Sequence, residues 1–169
     1  AGSFAVVTAQ AAVVGLNTGV DASNIVLSQG ATDPDWTISV NGGSTFTSAR
    51  VNFAAQICCG METVANTAAW ITDSGTAGNA STGWGVGNTV FLRTTFDLSD
   101  FDLGSTALAG TWRVADNLVG IYLNGNLVQG PISSTWASDF SVNTSSGFNQ
   151  GLNTLEFRAT SGNSTWDGL

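Results

Sequence analysis

The side chains able to do acid–base or covalent chemistry in this chain are few. There are twelve carboxylates, four arginines, two cysteines and one tyrosine, with no histidine and no lysine. That inventory excludes His-based triads, Schiff-base lysines and most zinc sites. Paired carboxylates remain, since glycosidases work with two acids flanking the scissile bond. The candidates are Glu62 with Glu156, or the group Asp97, Asp100 and Asp102. Asp100 and Asp102 stand at a strand-end turn, where Asp side chains bond backbone amides, so turn chemistry is favoured over catalysis. The chain is accordingly read as not an enzyme, with no catalytic residues. The same acids could ligate calcium, which takes six to eight oxygens from loops. Asp21, Asp33 and Asp35 lie around early turns, but no Asp-x-Asp-x-Asp-Gly loop is present. No cofactor is expected, with a structural calcium as the alternative to solvated or capping carboxylates.

Cys58 and Cys59 are the only cysteines. Neighbouring cysteines suit an ordinary disulfide poorly, which leaves a strained vicinal ring, two reduced thiols, or bonds to neighbouring subunits as a cross-link. Six tryptophans stand in 169 residues, enough for a sugar-stacking platform. Trp36, Trp112 and Trp136 sit in or beside strand patterns and read as core. Trp84, in a Gly-rich loop, and Trp166 are the candidate glycan contacts, although an exposed Trp equally marks a protein interface. Asp116-Asn117 and Asn124-Gly125 read as turn formers rather than ligand-binding groups. Asn-x-Ser/Thr triplets begin at Asn79, Asn143 and Asn163, as a chain rich in these residues produces by chance.

The elements that must hold these residues are strands. In residues 91–128, Phe91, Arg93 and Thr95 run out of phase with Leu92, Thr94 and Phe96, and Ile121 and Leu123 alternate with Tyr122 and Asn124. Period-two alternation broken by Ser/Asp/Gly clusters predicts half-buried antiparallel strands, and Asn124-Gly125 predicts a tight hairpin. Residues 36–40 form a strand after the Asp33-Pro34-Asp35 break, residues 51–57 a short apolar run, and 140–142 and 152–159 the last strands. Residues 75–87 read as a long loop, and residues 61–70 are the only helix candidate, of one or two turns.

Length and composition fit one domain. Charged residues are only 9% and the net charge is −8, which repels phosphate backbones, so no nucleic-acid partner is expected. No run of eighteen apolar residues exists, so no membrane span is expected. A surface of Ser, Thr, Asn and Gly is typical of exported proteins, placing the chain outside the cell or on its surface. No basic n-region or cleavage motif opens the chain, so a signal peptide is expected to have been removed already.

Asn17-Thr18-Gly19-Val20-Asp21, Asp33-Pro34-Asp35-Trp36, Arg93-Thr94-Thr95-Phe96-Asp97-Leu98, Trp112, Ala115-Asp116-Asn117, Tyr122-Leu123-Asn124-Gly125, residues 148–157 (FNQGLNTLEF) and Gly168-Leu169 follow one another in a telling order and spacing. In that order they resemble a bacterial exported jelly-roll domain, found in surface proteins with Pro-Glu-Pro C-terminal sorting signals and similar to galactose-binding-like sandwiches. The resemblance covers residues 17–169. It implies an all-β, antiparallel jelly-roll β-sandwich, a fold that hosts sugar binding, adhesion and scaffolding alike. Members of that family continue past the Gly-Leu pair into a final strand and a sorting signal, whereas this sequence stops at Leu169. At the other end it carries an apolar extension.

The division expected is therefore a 1–16 N-terminal apolar extension, a candidate donor strand, and a 17–169 jelly-roll β-sandwich domain. A sandwich short of one strand presents unpaired backbone groups as a template for another chain. Phe4, Val6, Val7, Val13 and Val14 have the composition to fill it, on an acceptor edge expected near residues 155–158. Filling a neighbour's groove head to tail makes a fibre. The leading expectation is a secreted structural subunit that self-assembles by donor-strand exchange into an extracellular filament of the fimbrium kind, its partners being copies of itself. The alternative is a monomeric extracellular carbohydrate-binding or adhesive module, its partner a glycan.

Overall fold

The computed structural model describes residues 16–52, 68–73, 87–115, 117–135, 138–160 and 168–169. Within them the chain is an antiparallel β-sandwich without an α-helix. Nine strands run in the order β1 (Thr32–Ser39), β2 (Thr47–Val51), β3 (Ile71–Thr72), β4 (Thr89–Asp97), β5 (Leu108–Trp112), β6 (Asn117–Leu123), β7 (Asn126–Gln129), β8 (Phe140–Thr144) and β9 (Leu152–Thr160). Seven form one sheet in the order β3-β2-β1-β4-β9-β6-β7, and β5 pairs with β8 in a second.

The alternation in β4 produces its geometry directly. Val90, Leu92, Thr94 and Phe96 are buried, while Phe91, Arg93 and Thr95 face the other way, as period two requires. Strand β9 repeats the scheme with Leu155, Phe157 and Ala159 inward. These two strands form the centre of the large sheet, paired without a break from Thr89↔Thr160 to Asp97↔Leu152. Their inner residues join Trp36, Ile38, Ile121 and Leu123 in a core closed from the other side by Leu108, Trp112 and Val142 of the small sheet. Trp112 spans the two layers. Its ring stacks on Phe140 at 5.2 Å and meets Phe157 edge-on at 5.9 Å, geometries that contribute beyond buried area.

The predicted hairpin is present: Asn124 (φ 52°) and Gly125 (φ 79°) both occupy the left-handed region, as a two-residue turn between β6 and β7 demands. Other boundaries differ from the sequence reading. Strand β1 does not begin after Asp33-Pro34-Asp35 but runs through it, with register lost between Thr32↔Arg50 and Thr37↔Ser48. The irregularity accommodates a proline that has no N–H to donate. It is held by the buried Asp33 carboxylate, which accepts the backbone N–H groups of Gly19, Asp35 and Trp36 at 2.6, 2.9 and 2.9 Å. The second strand lies at Thr47–Val51, overlapping the 51–57 apolar run only at Val51 among the described residues. Residues 53–57, and the 61–67 part of the helix candidate, are outside the described residues; Ala68, Ala69 and Trp70 are not helical.

The acceptor edge expected at residues 155–158 is not an edge. Leu155 pairs with both Thr94 and Leu123, Phe157 with both Leu92 and Ile121, and Arg158 with both Phe91 and Gly120. A strand cannot be added to β9 because both of its sides already carry ladders. At the β3 margin, Ile71 and Leu169 exchange backbone hydrogen bonds of 2.8 and 3.1 Å, and Ala115 N–H donates to Gly168 at 3.0 Å.

Candidate functional site

Among the described residues, strand β5 pairs with β8 alone, from Leu108↔Thr144 to Trp112↔Phe140. Along its other side, among the described residues, lies a cavity of about 310 Å³ between the two sheets. All five β5 residues line it, with Trp36, Leu155 and Phe157 as its wall on the large sheet and Leu16, Trp70 and Leu169 also on its surface. Arg113 and Asp139, joined by a 2.6 Å ion pair, also line it. The site is thus a slot of mixed polarity, with Asn17, Thr18, Thr111, Arg113 and Asp139 among its lining, bordered by a strand edge whose outward N–H and C=O groups have no strand to pair with among the described residues, the kind of edge that templates another chain.

Two tryptophans of the lining also carry buried donors. Among the described residues, the indole N–H groups of Trp36 and Trp70 are buried and have no hydrogen-bond partner, while each residue is 2% exposed. A buried donor left unpaired costs roughly 1–3 kcal/mol, and native structures contain few of them. The third core tryptophan of the slot shows the contrast: Trp112 Nε1 donates to Gln129 Oε1 at 3.2 Å. Sequence reasoning placed Trp36 and Trp112 in the core, where they are, but missed Trp70, which sits in an irregular segment without strand alternation.

Of the carboxylates singled out from the sequence, Asp21, Asp97 and Asp102 take up local roles. Asp21 Oδ1 accepts from Ser23 and Ile25 N–H, Asp97 Oδ1 from Ser99 N–H and Oγ–H, and Asp102 Oδ1 from Gly104 N–H at the start of a 3-10 turn (Leu103–Ser105). The Ser99 hydroxyl and amide hold the Asp97 carboxyl below its ordinary value. Burial, and then the neighbouring Asp33, push Asp35 up. Among the described residues no three His, Cys, Asp or Glu gather as a metal-binding group would.

Glu156 faces the opposite side of the large sheet from the slot. Its carboxylate accepts Nε and Nη2 of Arg93 at 3.0 and 2.6 Å and Nε of Arg158 at 2.8 Å. The guanidinium of Arg93 lies over Phe46 at 4.0 Å, and that of Arg158 over Tyr122 at 3.9 Å and Phe91 at 4.8 Å. The alternation of β4 and β9 brings these side chains together across strands. Both carboxylate oxygens are thereby engaged by guanidinium groups, which ties Glu156 into an ion-pair network on the sheet face.

Glu62, the other member of the proposed carboxylate pair, lies outside the described residues, as does Asp116. The same holds for the donor-strand residues Phe4, Val6, Val7, Val13 and Val14, the cross-link candidates Cys58 and Cys59, and the glycan candidates Trp84 and Trp166. Asn117 stands at the start of β6, where its Oδ1 accepts Ser134 N–H at 3.0 Å. No helix among the described residues is long and apolar enough to cross a membrane. No protein-family model matches the chain and no curated protein matches it, so the functional reading rests on the residues and the geometry above.

Proposed function

We propose that this protein is a secreted, non-catalytic structural subunit that self-assembles into an extracellular filament, each copy lending its apolar N-terminal segment to the slot of the next. The observation that carries this reading is the cavity running along the side of β5 that is unpaired among the described residues. An inserted strand would pair with Leu108–Trp112 and cover Trp36, Leu155 and Phe157, which line the slot. The segment that precedes Leu16 has a composition suited to insertion. Residues 4–14 contain neither charge nor proline, and Phe4, Val6, Val7, Val13 and Val14 contribute apolar surface. Removing such surface from water is worth about 25 cal/mol per Å². This acceptor replaces the β9 edge, which the sheet order rules out. The Ser/Thr/Asn/Gly-rich composition, with only 9% charged residues, supports export. A bacterial surface origin follows only from the resemblance noted above.

The same slot filled by the chain's own segment would give a closed monomer, the adhesive or carbohydrate-binding alternative. Assembly separates the two. Negative-stain microscopy and sedimentation of the full chain should show filaments, and deleting residues 1–14 should abolish them. A full-length chain that stays monomeric, or a deletion variant that assembles normally, overturns the proposal.

A further inference from the structure

The face of the large sheet turned away from the slot carries Phe91, Arg93, Thr95 and Asp97 of β4 at alternate positions, as strand geometry requires. Residues directly opposite one another on paired strands share a face. The pairing therefore adds Leu152, Glu156 and Arg158 of β9, Tyr122 of β6 and Leu127 of β7. Leu152 is 67% exposed and Leu127 58%. Exposed leucines beside aromatic rings and arginines have the composition of a protein interface. We propose that two copies of this chain pair reversibly through this face about a two-fold axis, Arg93 of each copy, flanked by Arg158, facing Asp97 of the other. The proposal stands apart from the insertion reading, because the slot lies on the other side of the sheet.

Charge selects a second copy as the partner. Glu156 takes Nε and Nη2 of Arg93 and Nε of Arg158. Nη1 of Arg93 and both Nη groups of Arg158 are left without a hydrogen bond among the described residues, on side chains 38% and 32% exposed. Glu156 and the rings of Phe46, Phe91 and Tyr122 already hold both guanidinium groups in place, so little freedom is lost on binding. Two guanidinium groups against one carboxylate leave this end of the face positive, in a chain of net charge −8. Farther along β4, Asp97 supplies the complement. Ser99 engages its Oδ1, and its Oδ2 has no partner among the described residues.

A cationic end and an acidic end on one face are self-complementary under two-fold rotation. An axis crossing β4 at Thr95 lies midway between Arg93 and Asp97, and lays each over its counterpart in the other copy. The size of the face is adequate. The paired length of β4 and β9 is about 30 Å and strands β1, β4, β9, β6 and β7 span about 25 Å, on the order of 700 Å². A standard interface takes about 800 Å² per partner, so the contact suits a reversible pair.

Sedimentation equilibrium of the full-length chain at low ionic strength tests the pairing, below the concentration at which filaments sediment. The unaltered chain should form dimers that weaken on adding salt. Asp97→Arg and Leu152→Arg each set positive charge against the cationic end of the other copy, and should weaken the dimer roughly tenfold or more. Asp97→Asn keeps an Oδ acceptor for Ser99 and should weaken it severalfold. Ser141→Arg, at an exposed position of β8 in the small sheet, should stay within about twofold of the unaltered chain. Circular dichroism checks that each variant retains its β-sheet. A chain that stays monomeric at low salt overturns the proposal, as do Asp97→Arg and Asp97→Asn variants that dimerise as the unaltered chain does. An equal loss in Ser141→Arg overturns it as well, since that residue lies away from the proposed face.

Discussion

Two parts of the same sandwich treat their buried polar groups in opposite ways. At the turn joining β8 to β9, Asn153 is fully buried and uses everything it has. Its Nδ2 donates to the carbonyls of Asn149 and Gly151 at 2.8 and 2.7 Å, and its Oδ1 accepts from Asn149 N–H and Asn124 Nδ2, each at 2.8 Å. Asn124 in turn accepts Thr154 N–H at 2.9 Å and donates to the Gly147 carbonyl at 2.8 Å. This network ties the β6–β7 hairpin to β9 and leaves nothing for a ligand. Beside β5 the reverse holds, with an unpaired strand edge, a cavity and two indole donors without acceptors among the described residues. Satisfied polar groups specify a fold, whereas native structures contain few unsatisfied ones.

The largest test of that contrast is Asn153→Ala. It strands four groups that the amide now partners, and should cost about 3 kcal/mol, given 1–3 kcal/mol per buried unpaired group and partial relief by water. Chemical denaturation of the monomer measures it. A loss under about 1 kcal/mol would mean that water serves the turn as well as the side chain does, and the contrast with the slot would weaken.

A smaller effect of opposite sign is expected on β5. A Cβ added at Gly110 meets nothing within 4 Å, and glycine is a poor strand residue. Gly110→Val should therefore stabilise the monomer by about 0.5–1 kcal/mol, read as a higher midpoint in urea. A destabilised variant would show that the strand beside the slot is packed as tightly as the rest of the core.

The smallest effect concerns Asp35, in the irregular part of β1. Burial and the adjacent Asp33 raise its pKa. A raised carboxyl favours folding while protonated, below its unfolded pKa, and that contribution is lost as pH rises through its folded pKa. Asp35→Asn should accordingly raise the melting temperature at pH 7 and leave it nearly unchanged near pH 3, the carboxylate's protonated range. An equal shift at both pH values would trace the effect to packing instead of charge. The sign is opposite for Asp97, whose lowered pKa contributes stability above its unfolded value and loses it on acidification.

Alternation in residues 90–96 and 121–123, and the turn chemistry of Asn124-Gly125, depend only on near neighbours in the sequence. They determined which residues face the core and where the chain reverses, because side-chain period and φ tolerance are local properties. Of the turn roles read for Asp100 and Asp102, that of Asp102, which accepts Gly104 N–H, was legible for the same reason. Pairing partners are not local. That β9 is enclosed by β4 and β6, that β1 passes through Asp33-Pro34-Asp35 with a buried carboxylate holding the irregular stretch, and that Trp70 joins the core from a segment without periodicity were decided by tertiary contacts alone. So was the site: residues 16, 36, 70, 108–113, 155, 157 and 169 have no shared motif, and only the packing of a two-stranded sheet over a seven-stranded one leaves a slot between them.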